Sequence, residues 1–211
     1  MKRQPRRSFA VALIGALLAG LSLAPSVLAV ETDQKAGGHI AIQAFGGLAP
    51  FSDASHKTQT ITFDELATGT LLGNPASLGP VNVAHASAAT LGTLGSPFAP
   101  VSSPNVLAPF ASDGALDVGD TTLTFPRNTH RVGFFLILPS GSNADTTWTS
   151  SVTATDTKGE SVTVVVTFQG VVGEQQFIGF DSHHMLDSIS FGPAVNADAT
   201  SVLALDDIVV D

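Results

Sequence analysis

The chain has no cysteine, no tyrosine and a single tryptophan, Trp148, among its 211 residues. Without thiols there can be no disulfide, no iron–sulfur cluster, no cysteine-based zinc site and no thiol nucleophile. A tyrosine-rich sugar platform is excluded on the same ground. Positive charge is also scarce: nine Lys and Arg stand against eighteen Asp and Glu, a net charge of −9. Long apolar runs are missing except for FAVALIGALLAGLSLA, from Phe9 to Ala24, directly after the basic stretch MKRQPRR. That arrangement, closing on SVLA with Val27 and Ala29 at the small-residue positions, is the pattern of a secretory signal over residues 1–29. Arg6-Arg7-Ser8-Phe9 fits twin-arginine export as well as the general secretory route. No later window approaches the ~20 apolar residues of a membrane span.

Removing the leader takes away Lys2, Arg3, Arg6 and Arg7, leaving five basic residues against eighteen acids, a net charge of −13. Such a chain repels nucleic acid and anionic membrane surfaces. Uncharged solutes and divalent cations are the partners its charge allows. The remaining length suits one domain, stabilised by its core and by any metal it holds.

Residues 30–58 read as an irregular lead-in rich in Gly, Ala and small polar residues, with a short strand inside His39 to Phe45. The domain spans 59–211 and opens on the alternating stretch Gln59 to Asp64. From Leu71 to Pro109 the proline density forbids long helices and predicts short strands between loops. Thr121 to Phe125 alternates, Val132 to Leu138 is a continuous apolar run, and Thr147 to Asp156 places Thr and Ser on one face. Asp156-Thr-Lys-Gly159 predicts a hairpin turn into Ser161 to Phe168. Gln176 to Phe180, Leu186 to Phe191 and Val202 to Val210 supply three more strands. Eight or nine strands with turn signals between them predict an all-β sandwich of two antiparallel sheets.

The succession Ile61-Thr-Phe-Asp64-Glu65, Arg131-Val-Gly-Phe-Phe135, Phe177-Ile-Gly-Phe180, Leu186-Asp-Ser-Ile-Ser-Phe191 and Leu205-Asp-Asp-Ile-Val209 resembles the galactose-binding-like jelly rolls of bacterial secreted proteins. The resemblance is to the kind carried by PEP-CTERM-sorted proteins and covers roughly Gln59 to Asp211. The sorting tail (Pro-Glu-Pro, an apolar span and a basic end) is missing, so the resemblance implies secretion or periplasmic residence without envelope anchoring. Fold of this kind implies carbohydrate binding by analogy only.

Four carboxylates stand out as candidate calcium ligands: Asp64 and Glu65 at the end of the first strand, and Asp206 and Asp207 in VLALDDIVV. Both faces of that last strand are apolar, so at least one of its aspartates sits near the core and needs neutralising. In such jelly rolls the first and last strands lie side by side, which would gather oxygens for a structural calcium ion. The alternative is a carboxylate that accepts backbone N–H groups or pairs with Arg131 or Arg127. Asp113, Asp117 and Asp120 lack EF-hand spacing and read as a solvated loop. His183 and His184 chelate one transition metal only if a turn brings them together, since strand neighbours point oppositely. His39, His56, His85 and His130 are scattered.

Catalysis finds no signature. There is no Gly-x-Ser-x-Gly elbow, and Ser102, Ser103, Ser140 and Ser142 lie in loop-like sequence with no base nearby. Thr147, Thr149, Ser151, Thr153 and Thr155 form a hydroxyl row suited to sugar or ice, and equally to an ordinary exposed strand face. Trp148, Phe98 and Phe110 either stack on sugar or fill the core. The expected function is therefore an exported, non-catalytic module for extracellular carbohydrate or a surface polymer. The alternatives are a structural matrix or envelope protein without a small ligand, and an unrecognised secreted hydrolase.

Overall fold

Alternation in TWTSSVTATD is the pattern of a half-buried strand. Trp148–Asp156 forms one, with Trp148, Ser150, Val152, Ala154 and Asp156 buried and the residues between them facing outward. The computed structural model describes residues 29–31, 41–52, 58–87, 90–95, 105–125, 128–139 and 146–211. In chain order its elements are β1 (Ala29–Glu31), β2 (Ile42–Phe45), α1 (Leu48–Ser52), β3 (Gln59–Ile61), β4 (Leu71–Gly73), β5 (Ala76–Leu78), β6 (Val81–His85) and β7 (Thr90–Leu94). There follow β8 (Val106–Phe110), β9 (Thr121–Thr124), β10 (Arg131–Leu138), β11 (Trp148–Asp156), β12 (Ser161–Phe168) and β13 (Glu174–Ser182). The chain closes with β14 (Leu186–Phe191), β15 (Ala194–Val195), β16 (Thr200–Ser201) and β17 (Ala204–Val210). Among the described residues no helix is long and apolar enough to cross a membrane. The leader expected over residues 1–29 lies outside the description apart from Ala29, which begins β1.

These strands make two antiparallel sheets. The first runs β1-β12-β11-β14-β9-β6-β5, with β15 against β11 and β16; the second runs β2-β13-β10-β17-β8-β7-β4, with β3 against β17. The expected sandwich is thus present. Its strands outnumber the eight or nine expected because the Gly- and Pro-rich middle breaks into β4 to β7, each only three to five residues long. The segment read as an irregular lead-in contributes β2 to the second sheet and α1 over its outer face.

One core fills the space between the sheets. Leu123, Val152, Val164 and Ile189 of the first sheet share it with Phe134, Leu136, Ile178 and Phe180 of the second. Each such side chain contributes about 1.5–3 kcal/mol on burial, and with no disulfide this layer carries the fold.

The outer faces of the two sheets differ in kind. That of the second sheet is apolar: Phe51 from α1 lies against Phe45 and Phe177, and Phe177 against Phe135. Farther along the same sheet, Val106, Ala108, Ile137 and Ala204 form a second buried cluster beside Phe110 and Leu116. Residues 134–138 are therefore apolar without alternation because β10 is covered on both sides.

The expected adjacency of the terminal strands is observed. β3 pairs antiparallel with β17, with Ile61 opposite Ile208 and Gln59 opposite Val210. Strand β17 is not regular, however. A bulge against β10 puts Val209 opposite Gly133 but Asp206 opposite Phe135, with Asp207 at a left-handed φ of 42°. Aspartate tolerates that conformation better than most residues. The extra residue reverses the alternation, so Leu203, Leu205, Ile208 and Val210 all reach the central core. This explains why strict alternation found both faces of VLALDDIVV apolar.

Candidate functional site

Among the described residues, the outer face of the first sheet carries hydroxyl side chains along its ladder rows from β12 to β9, with Glu31 of β1 at the register position opposite Thr163. The register aligns Ser161, Thr155, Ser188, Thr124 and Asn82 across β12, β11, β14, β9 and β6. A parallel row holds Thr163, Thr153, Ser190 and Thr122. All are at least partly exposed. Strand spacing of about 4.8 Å, and about 6.8 Å between same-face neighbours along a strand, makes this a regular grid of hydroxyls. Thr153 and Thr163 share a hydrogen bond of 2.8 Å between their Oγ1 atoms, which fixes two of the rotors. The hydroxyl row of β11 was legible from alternation; its continuation on β9, β12 and β14 depends on register and was not.

A groove of about 330 Å³ runs over this grid. Thr149, Ser151, Thr153 and Ser190 form its floor, and Gly192, Pro193 and Val195 its wall. The wall is built by β15 crossing beside β11, where Val195 pairs with Thr149. Ser150 Oγ donates to the Gly192 carbonyl at 2.8 Å, tying the wall to the strand. Gly192 also sits where a Cβ would come within 3.2 Å of Asp120 Oδ1, the acidic end of the groove. Hydroxyls that both donate and accept suit a polyhydroxylated ligand. Trp148 is buried in the core and takes no part in this surface.

A second polar group lies at the first sheet's far side. His85 Nδ1 is 3.0 Å from Thr121 Oγ1, and its Nε2 is 3.8 Å from Asp117 Oδ2. The order hydroxyl, imidazole, carboxylate is that of a nucleophilic triad. Here Thr121 is 4% and His85 5% exposed, so no substrate reaches the hydroxyl. Burial holds the imidazole below its ordinary 6.5, opposed by the attraction of Asp117 and then Asp120. The arrangement is a structural brace, completed by Asn74, whose side chain bonds both the N–H and the C=O of His85.

The candidate calcium ligands are distributed along the β3–β17 edge. Asp206 is fully buried and its Oδ1 accepts the Asp207 N–H at 2.9 Å. Asp207 and Asp64 are half-buried and Glu65 is exposed. Asp64 Oδ1 is shielded from solvent and makes no hydrogen bond. Arg131, named as an alternative partner for these acids, forms an ion pair with Asp181 at 3.0 Å. Arg127, His39, His56, Phe98, Ser102, Ser103, Ser140 and Ser142 lie outside the described residues.

Among the described residues, one trio of metal-ligand side chains has its ligand atoms all within 4.8 Å of one another: Asp156, Glu160 and His184. His184 stands in the turn after β13 and the two acids flank the β11–β12 turn. His183 is not among them. In the sequence Asp156 reads only as a turn residue, and the Asp-x-x-x-Glu spacing is the one signal for the trio.

No family model matches the chain, and no curated protein matches it. Solved structures align with it at low similarity. One is the K2 cleaved adhesin domain of Lys-gingipain, at a TM-score of 0.44 and 13% identity over 74% of this chain and 99% of that one. A family 29 carbohydrate-binding module aligns at 0.35 and 12% over 69% and 92% of the two chains. The xylan-binding domain from Paenibacillus barcinonensis aligns at 0.32 and 14% over 68% and 96%. At these values neither family nor ligand transfers.

Proposed function

We propose that this chain is an exported, non-catalytic module that lays the hydroxyl-lined face of its first sheet against a neutral glycan or a comparable uncharged surface polymer. The observation that carries this reading is the run of Ser and Thr across β12, β11, β14 and β9 beside the groove, with acids only at its margins (Glu31 and Asp120), in a chain whose formal net charge is −9. The overall negative field disfavours acidic polymers, while the grid offers hydrogen bonds to neutral hydroxyls. Each such bond contributes only about 0.5–1.5 kcal/mol net, so affinity requires several at once, as a polymer laid across the rows would supply.

The test is retention by neutral polysaccharides, scored beside a hydrolase substrate panel. Wild-type protein is expected to bind a neutral glycan without turnover. Ser151→Glu and Thr153→Glu, on the exposed face, are expected to weaken binding at least about tenfold, or ~1.4 kcal/mol, with little change in stability. Turnover would establish a hydrolase instead, and silence on both panels the structural role. Binding indifferent to both substitutions would place the ligand elsewhere.

We also propose that Asp64 supplies an oxygen to a structural calcium ion, joined by one of Glu65, Asp206 and Asp207 and by backbone carbonyls, since no three of these four carboxylates bring ligand atoms within 4.8 Å of one another. The unpartnered Asp64 Oδ1 beside the β3–β17 edge fits an oxygen-seeking cation, and calcium takes six to eight such ligands. Chelation with EGTA is expected to lower the melting midpoint by several degrees, and Asp64→Asn to abolish the difference. An unchanged midpoint with no calcium by elemental analysis would remove the proposal.

A further inference from the structure

The trio at the β11–β12 turn contains a buried, half-satisfied carboxylate. Asp156 is 2% exposed. Its Oδ1 accepts the N–H groups of Lys158 at 2.8 Å and Glu160 at 3.0 Å, closing the turn. Its Oδ2 is shielded from solvent and has no hydrogen-bond partner. A carboxylate oxygen left this way costs free energy unless something positive meets it.

The surroundings provide a place for that positive charge. Backbone pairing carries the second turn to the first: Thr157 N–H donates to the Met185 carbonyl at 2.9 Å, and Asp156 pairs with Leu186 at a bulge in the β11–β14 ladder. This juxtaposition brings the exposed His184 and Glu160 within ligand distance of Asp156. A neutral imidazole nitrogen is a poor ligand for calcium or magnesium, which select oxygen. One nitrogen and two carboxylates suit a borderline first-row cation, and three protein ligands leave a fourth position for water.

We propose that Asp156, Glu160 and His184 bind a single divalent cation of the zinc class, clamping the β11–β12 turn to the β13–β14 turn. The site lies at the end of the first sheet, beyond the hydroxyl groove, and does not depend on the ligand assigned to that groove. It is also separate from the calcium proposed at the β3–β17 edge.

The experiment titrates the full chain, free of any histidine tag, with zinc by calorimetry and with cobalt by absorption. One zinc per chain and a cobalt d–d band are expected. His184→Ala and Glu160→Gln, both at exposed side chains, are expected to weaken zinc at least tenfold and erase the band, with the melting midpoint in EDTA unchanged. His183→Ala is expected to bind zinc like the wild type. Absence of stoichiometric zinc, or equal zinc binding in both the His184 and Glu160 variants, overturns the proposal. A calcium-dependent rise in midpoint that survives His184→Ala belongs to the Asp64 edge and leaves the zinc result to stand by itself.

Discussion

Replacing Phe51 with alanine is expected to destabilise the protein by about 3–5 kcal/mol, as truncation of a buried aromatic does. Phe51 belongs to a five-residue helix, yet it is 1% exposed and packs tilted against Phe177 with ring centroids 5.4 Å apart. Its slot exists because the sheet beneath it has no side chains at two positions. A Cβ on Gly179 would lie 2.5 Å from Phe51 Cδ2, and one on Gly133 would lie 2.5 Å from Phe177 Cζ. Gly179→Ala is therefore expected to cost about 1–3 kcal/mol by overpacking. The double variant decides whether this is the cause. With the ring gone, the new methyl has room against that face, so the two losses should fall short of additive by about 1 kcal/mol or more. Urea denaturation at 25 °C measures all three. Strict additivity would show that Gly179 matters for some reason other than space for Phe51.

The slot formed by Gly133 and Gly179 has no counterpart in the sequence pattern. The β11–β12 hairpin was legible because period-two alternation and Asp156–Gly159 specify both faces and the turn. The apolar run of β10 was legible as a strand, though not the reason for its lack of alternation. That reason is the cover supplied to its outer face, in part by Leu48–Ser52, a segment that in sequence is only LAPFS. Gly133 and Gly179 carry no local signal that they form one slot, because their adjacency comes from the β10–β13 ladder, where they face each other. The same holds for the polar groups. The terminal strands were expected side by side and are, but which residue of β17 is extra is set by its pairing with β10. His184 meets Asp156 and Glu160 through strand register, which no spacing within a single segment encodes.

Beneath Phe51 lies the remaining large expectation. Arg131 is 1% exposed, with Cζ 4.5 Å from the Phe51 ring centroid, an ion pair to Asp181 and a short hydrogen bond from Nη2 to the Phe51 carbonyl. The guanidinium thus joins α1 to β13, its own strand's partner, through cation–π attraction and charge-assisted bonds. Arg131→Met keeps an apolar stem but deprives the Phe51 carbonyl of its donor and Asp181 of its cation. Removing one member of a fully buried ion pair costs about 3–5 kcal/mol; Asp181 retains some water contact, so about 2–4 kcal/mol is expected here. Arg131→Lys should not restore stability, because a point ammonium cannot lie flat under the ring and reach both acceptors. The loss should persist in 1 M NaCl, since salt screens a buried group weakly. If Arg131→Met unfolds at the wild-type urea midpoint, the helix is held by the phenylalanines alone and the cation is incidental to the fold.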